Sequence, residues 1–214
     1  MLELLAPAGN LDAVIAAVQN GADAVYMGFG DGFNARRSAD NFTRESFAKA
    51  ARYCHIRGCK VYVTLNTLVG DREMEAAAAL AQQASDAGAD AILVQDLGLA
   101  RVLRDALPDI PLHASTQMSI HNLAGVEAAA EMGITRAVLS RELSLEQIRF
   151  ISQHASIETE VFVHGALCFC YSGQCYMSAL IGRRSGTRGA CAQPCRMQYS
   201  MGGRMDAYPL SLRD

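Results

Sequence analysis

Seven short apolar runs punctuate the chain, at Leu2–Leu5, Ala24–Phe29, Val61–Leu65, Ala91–Val94, Leu112–Ala114, Ala137–Leu139 and Glu160–Val163. Val, Ile and Leu cluster in them rather than alternating with polar residues, the pattern of strands covered on both faces of a parallel sheet. Between the runs, apolar positions recur at helical spacing in LDAVIAAVQN, FAKAARYCHIR, EMEAAAALAQQASDA, AGVEAAAEM and LEQIRFISQH. Asn10 and Asp71 stand where helix N-caps belong, and Ser144 with Gln147 has the spacing of a capping box. Gly21, Gly58, Gly88 and Gly133 follow helical stretches and predict left-handed C-terminal caps. The joins NGADAVYMG, RGCKVYVTL, AGADAILVQ and MGITRAVLS repeat one scheme of helix end, glycine, short turn and strand.

Repeated strand–helix units joined by right-handed crossovers predict an α/β fold. Seven strands, with YPLSL at 208–212 as an eighth, predict a TIM-like (β/α)8 barrel formed by residues 1–214. A doubly wound sheet is disfavoured, since LLAPAGN lacks a glycine-rich nucleotide loop after the first strand. At 214 residues the chain is shorter than the usual barrel of roughly 250, and it stops where a last helix should follow. The expectation is a barrel incomplete at its C-terminus, as a fragment of a longer protein or a chain completed by another copy or a partner chain. Barrel chemistry collects where strands end, which here means Asn10, Gly28, Asn66, Gln95, Asp96, Ser115, Gln117, Ser140, Arg141, Glu142 and His164. Each of these is also a common cap or turn residue.

Composition narrows the picture. Half the residues are apolar, Trp is absent and aromatics make up 7%, so the core is built of Ala, Val, Leu and Ile. The opening MLELLAPAGN has neither the basic start nor the long apolar run of a secretory signal, and no window reaches the roughly 18 apolar residues of a membrane span. The reading is a cytoplasmic protein with no membrane attachment. Net charge is −3, yet from Val161 to Met205 there is no Asp or Glu, while Arg183, Arg184, Arg188, Arg196 and Arg204 all fall inside. Positive charge is concentrated in one segment of an acidic chain.

That segment also holds five of the seven cysteines. Clustered thiols in a reducing compartment are metal ligands or catalytic groups more often than disulfides, and an odd count fits a disulfide framework poorly. Four stand out by spacing: Cys168, Cys175, Cys191 and Cys195, separated by six, fifteen and three residues. Four converging thiolates suit a tetrahedral zinc ion or an iron–sulfur cluster. Gly173, Gly186 and Gly189 allow the tight turns such a wrap requires, and nearby arginines favour the thiolate form. Zinc sites usually show two close cysteine pairs, and Cys168–Cys175 is wide for one. Cys170 is spare, and spacing alone does not exclude it. Cys54 and Cys59 read as small buried hydrophobes. The metal-binding segment is therefore placed at 164–204.

EVFVHGALCFCYSGQCYMS resembles the signature of peptidase family U32, also called collagenase-like. The matching positions are Glu160, Phe162, Gly165, Ala166, Leu167, Cys168, Gly173, Cys175, Met177 and Ser178. The continuation SALIGRRSGTRGACAQPCRMQY resembles the branch that hydroxylates ribosomal RNA, and LLAPAGNLDAVIAAVQNGADAVYMG and HASTQMSIHN are similar to the family as well. The resemblance implies hydroxylation of a 23S rRNA cytidine or a tRNA uridine, with prephenate as hydroxyl source. It also implies a [4Fe–4S] cluster on Cys168, Cys175, Cys191 and Cys195, with zinc as the alternative occupant. RNA is then the partner. Arg183, Arg184 and Arg188 would attract phosphate or a dicarboxylate, with His164, Asn66 and Gln117 as further substrate contacts.

Two other readings remain. Proteolysis has little chemistry to stand on, since the chain has no HExxH zinc pair and no GxSxG elbow. His164, four residues before Cys168, is the one candidate base for a cysteine nucleophile. A non-catalytic, metal-stabilised subunit would follow from an unfinished barrel, whose open edge invites pairing. No catalytic acid or base is assigned.

Overall fold

A computed structural model describes residues 2–30, 32–35, 41–165, 168–202 and 204–207. Seven strands lie in one sheet in sequence order, each parallel to the next: β1 (Leu5–Pro7), β2 (Ala24–Gly28), β3 (Lys60–Leu65), β4 (Ala91–Val94), β5 (Leu112–Ala114), β6 (Arg136–Val138) and β7 (Glu158–Glu160). Helices α1 (Leu11–Gln19), α2 (Arg44–His55), α3 (Met74–Asp86), α4 (Leu97–Ala106), α5 (Leu123–Glu131) and α6 (Leu145–His154) alternate with them. This is the expected TIM-like architecture, a curled partial barrel with helices outside. A short helix α7 (Met177–Gly182) and an antiparallel hairpin of β8 (Tyr199–Met201) and β9 (Arg204–Ala207) follow. The expected eighth strand, YPLSL, lies outside the described residues.

Strand side chains alternate between two apolar environments, which explains why no polar alternation shows in the sequence. Val25, Met27, Val61, Val63, Leu65, Ile92, Val94 and Leu112 pack outward into the main core with the helices. Ala24, Tyr62, Ala91, Leu93 and Val138 form a second cluster with Leu5 and Tyr26 in the lumen. Asn10 accepts from the Ala13 amide at 2.9 Å, and Ser144 and Gln147 close the expected capping box at 2.8 and 3.3 Å. The glycines at 21, 58, 88 and 133 all have positive φ.

Two strand boundaries differ from expectation by more than one residue, and one helix cap differs. β1 begins at Leu5 rather than Leu2, because Leu4 meets Asp23 ahead of the ladder and Leu2 is exposed. β7 occupies Glu158–Glu160 rather than Glu160–Val163, because its partner β6 ends opposite Glu160. The chain then leaves the sheet, and Val161, Phe162 and Val163 are exposed. Asp71 does not cap α3. Gly70 precedes a 3₁₀ turn at Asp71–Glu73, and the Glu73 carboxylate accepts the Gly70 amide at 2.9 Å.

Candidate active site at the barrel mouth

The loops after β5 and β6 form the floor of the C-terminal mouth. Ser115 follows β5 and caps a 3₁₀ turn at Thr116–Met118, and Ser119 then adopts a left-handed backbone. Arg141 and Glu142 follow β6 and Leu139–Ser140. Onto this floor the cysteine segment docks through one corner, Ser172–Gly173, between Cys170 and Cys175.

Ser172 is fully buried. Its amide and hydroxyl both donate to the Glu142 carboxylate. Its hydroxyl oxygen also takes Arg141 Nε at 3.2 Å and Thr116 Oγ1 at 3.3 Å, and its carbonyl accepts from Ser119 Oγ at 2.5 Å. Gly173 has φ +76, and a Cβ there would overlap the Gln117 carbonyl oxygen and come 2.9 Å from its carbon. Only glycine satisfies both the backbone conformation and the approach. Gln174 adds a bond from Nε2 to Ser119 Oγ at 2.9 Å.

Beyond the corner the thiol loop folds back on itself. A Cβ on Gly186 would lie 3.7 Å from the Cys175 carbonyl oxygen and 3.8 Å from Cys191 Cβ, so those two segments converge there. Ser178 Oγ on α7 accepts from the Ala192 amide at 2.9 Å, tying the Cys191 segment to the helix. The Cys195 thiol is pushed up by burial and by the charge of Cys168, Cys191 and Cys175. Cys170 is pushed up by burial and by Cys175 and Cys168.

The four expected sulfurs thus share one neighbourhood, and their donor chemistry suits a soft metal centre. Among the described residues, no three His, Cys, Asp or Glu side chains stand close enough to hold one ion.

The other expected contacts are placed variously. Arg188 forms a two-pronged ion pair with Glu73, at 2.9 and 2.5 Å, and holds that carboxyl down at about 2. The acid-free stretch is therefore not free of acids in space. Arg184 Nε donates to the Ala190 carbonyl at 3.2 Å, and Arg183 ends α7 in a left-handed conformation on the exposed rim. His164 is exposed, so it does not support the thiols from beneath. Asn66 bridges β3 to Ser115 Oγ at 3.2 Å and takes the Ala35 amide at 2.9 Å. Gln117 meets the corner through its backbone, and its carbonyl also accepts Gln95 Nε2 at 3.3 Å. Asp96 caps α4 through the Leu99 amide at 2.9 Å.

Sequence reasoning missed Ser119, His121 and Ser172. His121 Nδ1 donates to the Ser119 carbonyl at 2.7 Å, its Nε2 stands 3.5 Å from Glu142 Oε2, and its ring meets Tyr171 edge-on. No spacing rule links these positions; a serine beside a glycine was the one trace in the sequence.

A cavity of about 560 Å³ opens at the opposite end among Lys60, Tyr62, His113, Arg136 and Glu158. Its charges are paired with one another or with Glu3, and it lies at the N-terminal face, where barrels build stability.

The model of peptidase family U32 matches residues 9–214. The chain belongs to this family. It is 43% identical to the 23S rRNA 5-hydroxycytidine C2501 synthase of Escherichia coli, over all of this chain and 33% of that protein. It is 39% identical to the tRNA hydroxylation protein P1 of Bacillus subtilis, over 93% of this chain and 47% of that protein. The chain thus spans a third to a half of those relatives' length. A U32 peptidase of solved structure shares the fold, with TM-score 0.65 at 15% identity, over 78% of this chain and 70% of that one.

Proposed function

We propose that this U32 chain is the barrel part of an RNA base hydroxylase acting on a 23S rRNA cytidine or a tRNA uridine. The observation that supports it most is the seating of the four-cysteine loop on the C-terminal mouth by Ser172 and Gly173, in a chain similar throughout to RNA-hydroxylating relatives. Cys168, Cys175, Cys191 and Cys195 would hold a [4Fe–4S] cluster, which supplies electron transfer beside the mouth; zinc is the alternative occupant. Prephenate is the hydroxyl source in this reading. Arg183 and Arg184 on the rim supply positive field for an RNA backbone, and the target base must be unpaired or flipped to enter. Among the described residues no helix is long and apolar enough to cross a membrane; a cytoplasmic location belongs to the same proposal.

Proteolysis, the activity in the family's name, lacks a cysteine–histidine pair among the described residues, where no cysteine sulfur hydrogen-bonds a histidine and His164 is exposed.

Anaerobic purification with iron, sulfide and zinc analysis tests the cofactor. About four irons and four sulfides per chain are expected, and Cys195→Ser should remove them. Nucleoside mass spectrometry of RNA from a deletion strain, with and without the gene restored, tests the reaction. Stoichiometric zinc refutes the cluster, and unchanged hydroxylated nucleosides refute the activity.

A further inference from the structure

The arginines that stood out in the sequence are not the ones best placed to grip a ligand. Arg188 is neutralised by Glu73, and Arg183 and Arg184 sit on the rim. Arg141 differs from all three. It lies in the turn that follows β6, directly after the buried Leu139 and Ser140, whose amides donate to the Glu160 and Ile120 carbonyls. Its side chain is half-buried, and Nε is held 3.2 Å from the hydroxyl of the fully buried Ser172. Among the described residues, no acceptor and no carboxylate meets its two terminal nitrogens. Glu142, its sequence neighbour, is occupied by the Ser172 amide and hydroxyl.

With Nε occupied and the plane fixed, the end of the guanidinium presents two parallel N–H donors, which match the two oxygens of a carboxylate or phosphate. A second observation points to a ligand at the same corner of the mouth. Gln95 is 6% exposed, and its Oε1 is buried with no hydrogen-bond partner, while its Nε2 meets the Gln117 carbonyl against which Gly173 packs. His121 Nε2 is likewise buried without a hydrogen bond. Buried polar atoms without partners are rare in folded proteins, and Gln95 Oε1 can only accept.

We infer that Arg141 is the oxyanion-binding residue of the mouth, aligned by Ser172 of the thiol loop, for a ligand that also brings an N–H or O–H donor to Gln95. Because Ser172 lies between the cysteines, oxyanion binding and the order of the thiol loop are coupled. The oxyanion belongs either to a free carboxylic acid or to a phosphate of the RNA backbone. Binding of phosphate or malonate at Arg141 does not require RNA hydroxylation, so failure of one claim is seen separately from failure of the other.

The test uses the intact protein purified without oxygen. Inorganic phosphate and malonate are titrated by calorimetry, and a labelled single-stranded ten-nucleotide RNA by fluorescence anisotropy. Arg141→Lys keeps the charge and removes the fork, and should weaken binding by about tenfold with wild-type melting temperature and iron content. Arg183→Ala with Arg184→Ala should leave malonate and phosphate affinity within about twofold, their charges being screened at the rim. Loss confined to malonate assigns a free carboxylate, loss of phosphate and RNA assigns the backbone, and loss of all three supports the shared site. Wild-type binding of every probe by Arg141→Lys, an equal loss of malonate and phosphate binding in the double variant, or no binding of any probe by the wild type overturns the inference. Should Arg141→Lys fold poorly, protection of Arg141 from phenylglyoxal by malonate or phosphate, read by mass spectrometry in the wild type, decides instead; absence of protection by both overturns it.

Discussion

Arg136 and Arg141 stand at opposite ends of β6 and its exit, and the molecule treats them oppositely. Arg136 points into the lumen at the N-terminal end, where Glu3 lies at 2.5 Å, Glu158 at 2.6 Å and Glu160 at 3.5 Å. Burial alone would lower its pKa, but hydrogen bonds to Glu3 and Glu158 more than offset this and raise it. Its guanidinium also lies 5.4 Å from the Tyr62 ring centroid, and Tyr62 donates to Glu3. Arg141 meets one hydroxyl. The contrast separates a charge consumed by the fold from a charge kept for something else. Glu3 and Arg136 also join the region before β1 to β6 beside β7, across the part of the barrel where no eighth strand is described.

The comparison can be broken most directly at Arg136. Arg136→Met should cost about 3–5 kcal/mol, because Glu3 and Glu160 are left with little compensation. Urea denaturation reads this loss, and iron content per folded molecule should hold. A neutral outcome would mean that the N-terminal network adds nothing to stability. Gly173→Ala should strike the other end. It should cost about 1–3 kcal/mol through its left-handed backbone alone, and the overlap with Gln117 adds to that. Hydrogen exchange should accelerate across 168–195 while β2–β5 stay protected; uniform acceleration would show that the corner supports the whole barrel.

Acid should act on the N-terminal end first. Burial, aided by Arg136, holds His113 down at about 3, against an ordinary value of 6.5. The unfolded chain therefore takes up this proton first, and the stability present above pH 6.5 is lost as the pH falls towards 3. Burial pushes Glu3 up, but bonds from Arg136, Tyr62 and Lys60 prevail and hold it at about 2. Its contribution is present above 4.5 and lost as the pH falls towards 2. Glu160, raised by burial, works in the opposite sense. Thermal melts between pH 7 and 3 should decline from about 6.5, and His113→Phe should flatten the portion above 4.5. The smallest effect is expected from Glu73→Gln, whose ion pair with Arg188 is exposed to solvent. Global stability should stay within error while exchange near Gly186–Arg188 quickens.

Much of the barrel could be read along the chain, because each βα unit carries its own signals. The apolar runs of β2 to β5, the Asn10 cap and the Ser144–Gln147 box all act within a few residues. Boundaries failed where a distant partner decides them: β7 ends at Glu160 because β6 ends opposite it. The cysteine segment was conspicuous by composition, but its anchor, Ser172, was not, since its partners lie on loops 30 to 56 residues earlier in the chain. The Arg188–Glu73 pair spans 115 positions, and no local pattern announces it.

By itself, then, the sequence settled the repeating strand–helix order, the covering of the strands on both faces, and a thiol-rich basic segment after the seventh strand. These follow from short-range propensity and from burial periodicity, which a linear chain displays directly. Tertiary structure alone decided which arginines are spent on carboxylates and which keep free donors. It also set the seat of the thiol loop on the loops of β5 and β6. Ion pairs and buried hydrogen bonds depend on where the barrel's closure carries each side chain, and that geometry has no one-dimensional trace.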